Sequence, residues 1–515
     1  MRKKRIGALA LASLAALPTL LFTAGCSGEA EIVLRVFNWE EYIDLGGEGS
    51  YEYDYEVNED GSAPPIIEDF EEWYEETYGT PIRVEYSTFG TNEDMYNQLQ
   101  LGDTYDLLCP SEYMIMKLAA EDYLQPYEES FFDPEIEENY YIRNVSPYIR
   151  NMFESNRINK KDADDTSTWS DYAAGYMWGV TGFIYNTSYV QLDDLTDLGW
   201  DIMRAPQYKN KVTTKDNVRD SYFVALAICY RDEIEALDRS DPEYSVKLAE
   251  IMNRTDDDTI KKVEEIMLEM DENIYGYETD TGKADIVNGN IWLNFAWSGD
   301  AVYAMDLAEE EDGISLNFFI PEECANLWFD GWVMPKGANT QAAQAFVNFL
   351  SRPDNAVRNM YYIGYSGVIA GDPNDEEYGS MVLDYVKDCY AIDPEEAEDP
   401  VEYDLSYFFG DESAVFHAER EQAEYRQLHA HYPTEEVTKR CAVMDYYGEE
   451  ANESINELWS RIKSETLDTW AIVVICVGIV LAVAAVLLIR FGGKIDFFRL
   501  PPKKGYRLVR QQNIK

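Results

Sequence analysis

The chain has 515 residues, of which 98 are acidic and 42 are basic, and its formal net charge at pH 7 is −56. A protein with this charge repels nucleic acid and anionic lipid and attracts cations, so nucleic acid is excluded as an expected partner. The length is sufficient for more than one domain.

The first 25 residues are predicted to be a signal peptide rather than part of the fold. Four basic residues, 2–5, precede a short apolar run, and the stretch ends in "TAGCSG". Small residues before a cysteine resemble the cleavage site of bacterial lipoproteins, which predicts that Cys26 carries lipid. Thr23 stands where such sites usually have Leu, so an ordinary cleaved signal with an incidental cysteine stays open.

Short apolar runs and helical patterns then alternate, as expected for α/β domains. "IVLRVF" (32–37), "IRVEYST" (82–88) and "YDLLCPS" (105–111) are predicted strands, and the residues between them, 66–79 and 93–102, have helical spacing of apolar side chains. This β-α-β-α-β order predicts the opening of a doubly wound sheet. The carboxyl ends of its strands would bring Trp39, Thr88 and Ser111 to one edge, where such sheets bind ligands.

Two acidic stretches lack the periodicity of a helix or strand and are predicted to be insertions. Residues 44–65 are rich in glycine and read as an exposed loop. Residues 371–433 include "DPEEAEDPVEYD" and read as a second elaboration. Together with these insertions, the region between the signal peptide and the C-terminal segment has about 440 residues, which is enough for two domains.

The C-terminal region is predicted to cross a membrane. Residues 470–489, "WAIVVICVGIVLAVAAVLLI", are 20 positions without a charge, the length that a bilayer core requires. Residues 490–515 carry eight Lys and Arg against one acid, Asp496, and such an excess stays on the cytoplasmic side. We therefore expect an extracellular body, a membrane span and a cytoplasmic tail.

Cysteine and histidine patterns give no sign of a metal, a cofactor or a catalytic triad. Apart from Cys26 and Cys476 in the predicted span, five cysteines remain, and no C-x-x-C pair occurs. The chain has three histidines, two of which, His429 and His431, are close neighbours in sequence. They are too few and too local to predict a metal site or a catalytic triad. No cofactor is expected.

Nine short motifs, in order, together resemble one family, the extracellular spermidine/putrescine-binding proteins of bacterial ABC importers. They are "FNWEEY", "YDLLCPSEYM", "WGVTGFIYN", "PQYKNKV", "VRDSYFVAL", "FAWSGDA", "LWFDGWVMPKGA", "FVNFLSRPDNA" and "IGYSG". The resemblance implies a two-lobed, periplasmic-binding-protein-like α/β fold of type II with a cleft between the lobes, to which the C-terminal transmembrane helix is added. Lobe one would comprise residues 32–179 and 330–371, and lobe two residues 180–329 and 372–463.

The resemblance also implies a ligand and partners. The ligand would be a polyamine, handed on to a permease and an ATPase encoded elsewhere, while the protein itself is no enzyme. Each ammonium of a polyamine needs a carboxylate or an aromatic face, and the methylenes pack on flat apolar walls. Carried over by motif, the ligand-binding residues are Trp39, Glu40, Tyr42, Ser111, Tyr113, Asp220, Trp297, Trp328, Asp330 and Tyr365.

Three departures from the family pattern leave the ligand open. Glu40 replaces a small hydroxyl residue, either Asp216 or Asn217 takes the second acidic position, and Met444 stands where an amide can cap the far amine. Asp300 of "SGD" is expected to cap the following helix instead of contacting ligand. Two alternatives also stay open: a receptor of the same fold for an amino acid, a sugar or another organic cation, and a surface hydrolase using Glu40 and Asp330.

Overall fold

The computed structural model describes residues 31–47, 50–51, 63–160, 164–309 and 314–465, together with residue 477. Its strands are β1 (Ile32–Trp39), β2 (Ile82–Phe89), β3 (Leu107–Leu108), β4 (Leu124–Gln125), β5 (Ala173–Asn186), β6 (Val212–Lys215), β7 (Gly276–Glu278), β8 (Leu293–Trp297), β9 (Leu316–Phe319), β10 (Ala325–Pro335), β11 (Ser366–Gly367), β12 (Pro400–Asp404), β13 (Val415–Glu419) and β14 (Cys441–Ala442).

The α-helices are α1 (Ile66–Tyr78), α2 (Asn92–Leu101), α3 (Glu112–Ala120), α4 (Tyr140–Asn144), α5 (Pro147–Ser155), α6 (Trp169–Tyr172), α7 (Leu192–Leu198), α8 (Val218–Cys229), α9 (Arg231–Glu235), α10 (Tyr244–Met252), α11 (Asp257–Asn273), α12 (Thr281–Val287), α13 (Ser298–Glu309), α14 (Thr340–Leu350), α15 (Pro353–Ile363), α16 (Met381–Tyr390), α17 (Ser406–Phe409), α18 (Arg420–Tyr425), α19 (Gln427–His431), α20 (Glu435–Lys439) and α21 (Glu449–Glu465). Short 3-10 helices occupy Glu129–Phe132, Gly199–Arg204, Pro206–Tyr208 and Glu412–Ala414.

The predicted β-α-β-α-β opening is present. β1 pairs in parallel with β2 along its whole length and with β3 on its other side. Between the first two strands, α1 buries Phe70 and Tyr74 and ends at Gly79, whose φ of 72° is the left-handed conformation that glycine adopts at low cost. The carboxyl ends of these parallel strands therefore meet at one edge.

A second parallel unit is built around β6. This strand pairs in parallel with β7 and β8, and β8 in turn pairs antiparallel with the second half of β5. The helix α8 follows β6 and is buried along nearly its whole length. Its burial explains the apolar run "YFVALAI", which has no polar face.

Two long strands, β5 and β10, join these units. The first residues of β5 pair with the end of β10, and its last residues pair with β8 and β9. At the same end of β10, Val333 also pairs with β3 of the first unit, and at the other end Ala325 pairs with β14. The predicted crossing segments "WGVTG" and "LWFDG" lie on these strands, whereas the exact lobe boundaries stay a prediction.

The C-terminal transmembrane helix in the predicted fold class is wrong, because the described structure does not support it. Among the described helices, none is long and apolar enough to cross a bilayer, and the last one, α21, interleaves charged and apolar side chains as a surface helix does. The predicted span at 470–489 and the basic tail at 490–515 lie outside the described residues, apart from residue 477. The α/β architecture stands, whereas the predicted transmembrane helix and cytoplasmic tail are not supported by the described residues.

The predicted insertions differ from simple exposed loops. Residues 48–49 and 52–62 lie outside the described residues, as do the signal peptide and Cys26. The base of the first insertion is nevertheless buried, because Asp44 is fully enclosed and its Oδ2 accepts a hydrogen bond of 2.5 Å from Nε of Arg358. The second insertion is ordered around α16–α19 and a two-stranded sheet of β12 and β13.

Candidate functional site

A cavity of about 440 Å³ lies between the two units, at the carboxyl ends of β1 and β8 and beside the middle of β10. All ten residues predicted from the sequence to bind ligand line it: Trp39, Glu40, Tyr42, Ser111, Tyr113, Asp220, Trp297, Trp328, Asp330 and Tyr365. This volume lies in the range of small-molecule sites. The sequence therefore identified side chains that the fold brings together, while their contact with a ligand stays a prediction.

Asp330 lies at the centre of the hydrogen bonding in the cavity. Its Oδ1 accepts a bond of 2.7 Å from the Ser111 hydroxyl, and its Oδ2 accepts one of 2.8 Å from the Tyr42 hydroxyl. Burial raises the pKa of this carboxyl to about 6, against the lowering effect of the Ser111 and Tyr42 hydroxyls. A buried carboxyl whose only hydrogen-bond donors are neutral favours the binding of a cation beside it.

A tight turn after β1 presents Tyr42 to Asp330. Glu41 has a φ of 53°, in the left-handed region that non-glycine residues rarely adopt. The backbone carbonyl of Tyr42 accepts hydrogen bonds from the Tyr176 hydroxyl and the Asn38 amide, so the turn is held from two sides. Glu40 and Glu41 themselves are exposed at the rim of the cavity.

Aromatic rings form most of the apolar wall. The Tyr365 ring lies edge-on to Tyr42, with centroids 5.5 Å apart, and its centroid is 5.6 Å from that of Trp328. On the other side, Trp39 packs against Phe89 at 4.7 Å. The indole nitrogens of Trp39 and Trp328 are buried without a hydrogen-bond partner among the described residues. Such walls suit methylene groups and the face-on approach of a cation.

Two further carboxyls in the cavity wall are deeply buried. Burial raises the pKa of Asp220 to about 7, with Lys215 and the Trp297 side chain acting in the opposite direction. Burial also raises the pKa of Glu112 to about 8, although its carboxylate accepts a hydrogen bond of 3.0 Å from the backbone N–H of Phe329. The wall thus holds acids whose charged forms are costly until a cation approaches.

Asp300, expected to cap a helix, has a different role. Its two oxygens accept hydrogen bonds from Lys215 and Lys283, both at 3.2 Å, and from the Tyr365 hydroxyl at 3.0 Å. Burial acts to raise its pKa, but the two lysines and Tyr365 hold that pKa below its ordinary value. The negative charge of Asp300 is therefore already matched by side chains of the protein.

Lys215 is itself enclosed beneath the cavity. Its ammonium lies 3.3 Å from Glu278 and 4.2 Å from the centre of the Trp297 ring. Burial acts to lower its pKa, but Asp300 and Glu278 raise it overall, so the ammonium form is retained. The lysine thus lies over the ring of Trp297, which also lines the cavity.

A guanidinium also lines the cavity. Arg219 lies between two rings, 3.7 Å from the centre of Tyr447 and 4.5 Å from that of Tyr113, and one of its terminal nitrogens donates to the backbone carbonyl of Asp445. Its Nε and Nη1 have no hydrogen-bond partner among the described residues. Met444 is buried beside this group and also lines the cavity.

Sequence reasoning missed several cavity residues and misplaced others. Glu112 and Arg219 lie inside the motifs quoted above, directly beside predicted site residues. Their position next to those residues is the sequence signal from which they could have been predicted to line the cavity. Thr88 is exposed, and its neighbour Phe89 lines the cavity instead, because successive strand residues point to opposite faces. Of the alternatives Asp216 and Asn217, Asn217 lines the cavity, whereas Asp216 pairs with Lys463 at 2.8 Å.

A metal centre was not expected. Within the described ranges, no group of three or more His, Cys, Asp or Glu side chains is placed to hold a metal ion. His431 instead bonds through Nδ1 with the Tyr390 hydroxyl at 2.6 Å and through Nε2 with the Gly364 carbonyl at 2.9 Å. Burial lowers the pKa of His429 to about 3 and that of His431 to about 4, so both are neutral packing groups near pH 7.

Comparisons with known proteins agree with this architecture. The family profile described as bacterial extracellular solute-binding protein matches residues 66–380, more than half of the chain. The chain is 26% identical over 336 residues to the spermidine/putrescine-binding periplasmic protein of Salmonella typhimurium, covering 64% of this chain and 76% of that protein. It is 26% identical over 363 residues to the putrescine-binding periplasmic protein PotF of Escherichia coli, covering 69% and 83%.

Solved structures show the same fold. The spermidine/putrescine substrate-binding protein PotD of Streptococcus pneumoniae aligns with a TM-score of 0.52 at 23% identity, over 84% of this chain and 99% of that one. The TpPotD lipoprotein of Treponema pallidum aligns with a TM-score of 0.53 at 16% identity, over 84% and 99%. At these identities the likeness shows the fold, and it confirms the two-lobed α/β architecture implied by the sequence motifs.

Proposed function

The chain belongs to the family of bacterial extracellular solute-binding proteins, and we propose that its cavity captures a polyamine for delivery to the permease and ATPase of an ABC importer. The observation that carries this proposal is Asp330, a buried carboxyl with two neutral hydroxyl donors and a surrounding of aromatic rings. An alkylammonium supplies the missing positive charge, and its methylenes cover the rings.

The residues take distinct roles in this proposal. Asp330 and Asp220 receive ammonium groups, while Ser111 and Tyr42 hold the Asp330 carboxylate in place. Trp39, Trp297, Trp328, Tyr113 and Tyr365 form the walls. The exposed Glu40 adds negative potential at the rim, which favours the encounter with a cationic ligand. The protein itself catalyses no reaction in this scheme and acts by binding and release.

The relatives support a polyamine over the two alternatives. Those compared above are named for spermidine and putrescine, and the buried acids of the cavity suit a polycation. A neutral sugar would leave Asp330 and Asp220 buried without a counter-charge, which is costly. A hydrolase would need Glu40 and Asp330 to act together, and we propose binding in place of catalysis because the family binds solutes.

Isothermal titration calorimetry tests the proposal. The purified full-length protein, stripped of bound ligand by partial unfolding and refolding, is titrated with putrescine, spermidine and glucose at physiological salt. We expect binding of at least one polyamine with a Kd of about 1 μM or tighter, equivalent to about −8 kcal/mol, and no heat from glucose. Absence of heat from both polyamines, with a folded protein by circular dichroism, would refute the proposed function.

A further inference from the structure

One lysine reaches the cavity from the second unit. Lys283, on α12, donates a hydrogen bond of 3.2 Å to Asp300, lies 3.7 Å from Asp280, and stands 5.4 Å from the centre of the Tyr303 ring. All four residues line the cavity. The exposed Glu41, which belongs to the opposite wall, also acts on Lys283 by its negative charge. An ammonium of the protein therefore already stands at this end, surrounded by the groups that would attract an ammonium of the ligand.

The charge of Asp300 is already matched by two ammonium groups of the protein. Lys215 and Lys283 bind its two oxygens, and the Tyr365 hydroxyl donates to the oxygen that Lys283 occupies. A third cation would meet two positive charges at about 3 Å from the same carboxylate, and like charges at such separations repel strongly in a buried site. This end of the cavity is closed to an amine by charge.

A second cation of the protein lines the cavity near Asp220 and Glu112, and its charge acts on both carboxyls. There Arg219 presents two donors without partners, and Met444 presents a thioether. A guanidinium repels an ammonium, and a thioether is only a weak acceptor. Asp330, Asp220 and Glu112 are buried in the cavity wall, and among the described residues none of them forms an ion pair with Lys or Arg. The charges of Lys215 and Arg219 nevertheless act on Asp220, whereas Asp330 has only neutral hydrogen-bond donors.

We propose that Lys283 is a specificity-determining residue, a built-in ammonium that limits the ligand to two amines, so that the protein prefers a short diamine to a triamine. The proposal rests on the polyamine function above and identifies the ligand class within it. Asp330 and Asp220 match two ammonium groups, while Glu112 already accepts a hydrogen bond from the backbone N–H of Phe329. A third amine directed to Asp300 would meet Lys283.

Titration of two ligands into matched variants tests the inference. Putrescine and spermidine are titrated by calorimetry into the full-length wild-type protein, Lys283→Met and Lys283→Arg. Methionine keeps the packing on Tyr303 and removes the charge, and arginine keeps the charge. Lys247→Met, which removes a surface lysine paired with Asp241 outside the cavity, is the control. Thermal unfolding verifies that each variant is folded.

We expect wild type to bind putrescine at least about tenfold more tightly than spermidine, and Lys283→Met to tighten spermidine binding by about tenfold, since Asp300 and Asp280 then become available. Lys283→Arg and Lys247→Met should keep the wild-type preference. A wild type that prefers spermidine, or a Lys283→Met preference equal to that of wild type, would overturn the role of Lys283 and leave polyamine binding intact. Failure of both ligands to bind wild type refutes the function itself, together with this inference.

Discussion

Replacing the carboxyl at the centre of the cavity should nearly abolish ligand binding. In Asp330→Asn the amide keeps the size of the side chain and can still bond one of the two hydroxyls, Ser111 or Tyr42. What it loses is the negative charge that an ammonium would meet in a buried setting. Removing one partner of such a charge pair costs about 2–5 kcal/mol, which weakens binding by roughly 30- to 5,000-fold.

The same carboxyl predicts how binding depends on pH. Asp330 has a pKa of about 6 in the ligand-free protein, whereas alkylammonium groups stay protonated up to about pH 10. Bound ligand holds the carboxylate in its charged form, so below pH 6 a proton must leave as the ligand enters. Putrescine affinity should therefore fall by up to about tenfold for each pH unit below 6, and Asp330→Asn should lose this part of the dependence.

Calorimetry with putrescine at pH 8, 7, 6 and 5 measures both effects. Buffers with different ionisation enthalpies report the number of protons released at each pH. Glu154→Gln is the matched control, because Glu154 is a surface acid outside the cavity, and screened surface charges contribute little. Asp330→Asn with an affinity within threefold of wild type, or a wild type whose affinity is equal at pH 5 and pH 8, would refute the proposed role of this carboxyl.

Three further predictions concern buried charges. Because the pKa of Asp220 is raised to about 7, its ionisation costs stability at higher pH, and Asp220→Asn should raise the Tm of the ligand-free protein at pH 8 more than at pH 5; equal shifts would contradict this. Lys215→Met leaves Glu278 uncompensated and should cost about 3–5 kcal/mol in urea unfolding, while the surface control Lys247→Met should leave the midpoint nearly unchanged. Arg358→Met should also lower the urea midpoint and weaken putrescine binding, since Arg358 holds Asp44 two residues after Tyr42; unchanged affinity would separate this ion pair from the site.

Local patterns predicted the first unit well because its elements form from neighbouring residues. The helix at 66–78 follows from apolar side chains at helical spacing and the glycine that ends it. β1 and β2 follow from short β-branched runs. The same reasoning placed Trp39 and Ser111 at the cavity edge and erred by one residue at Thr88, where the alternation of the strand decides which neighbour faces inward.

The charge balance of the cavity could not be predicted in this way. Lys283 lies in a short helix with no motif, and its position opposite Asp300 results from the packing of α12 on α13. Asp300 is in the first turn of a helix, where the local pattern favours a cap, and only the tertiary fold brings Lys215 and Tyr365 to its oxygens. Sequence motifs thus located the acids of the site but not the lysines that neutralise one of them.

The raised pKa values in the cavity indicate that its buried carboxyls lower the stability of the ligand-free protein. Asp330, Asp220 and Glu112 are buried in the ligand-free protein, so much of the desolvation that a charge pair requires has occurred on folding and not on binding. An ammonium that enters then meets carboxyls already oriented, of which Asp330 has only neutral hydrogen-bond donors, and preorganisation of this kind increases affinity. The cost appears as lower stability of the empty protein near neutral pH. Stability and affinity should therefore change in opposite directions when Asp220 is made neutral, whereas a purely structural carboxyl would give no such opposition.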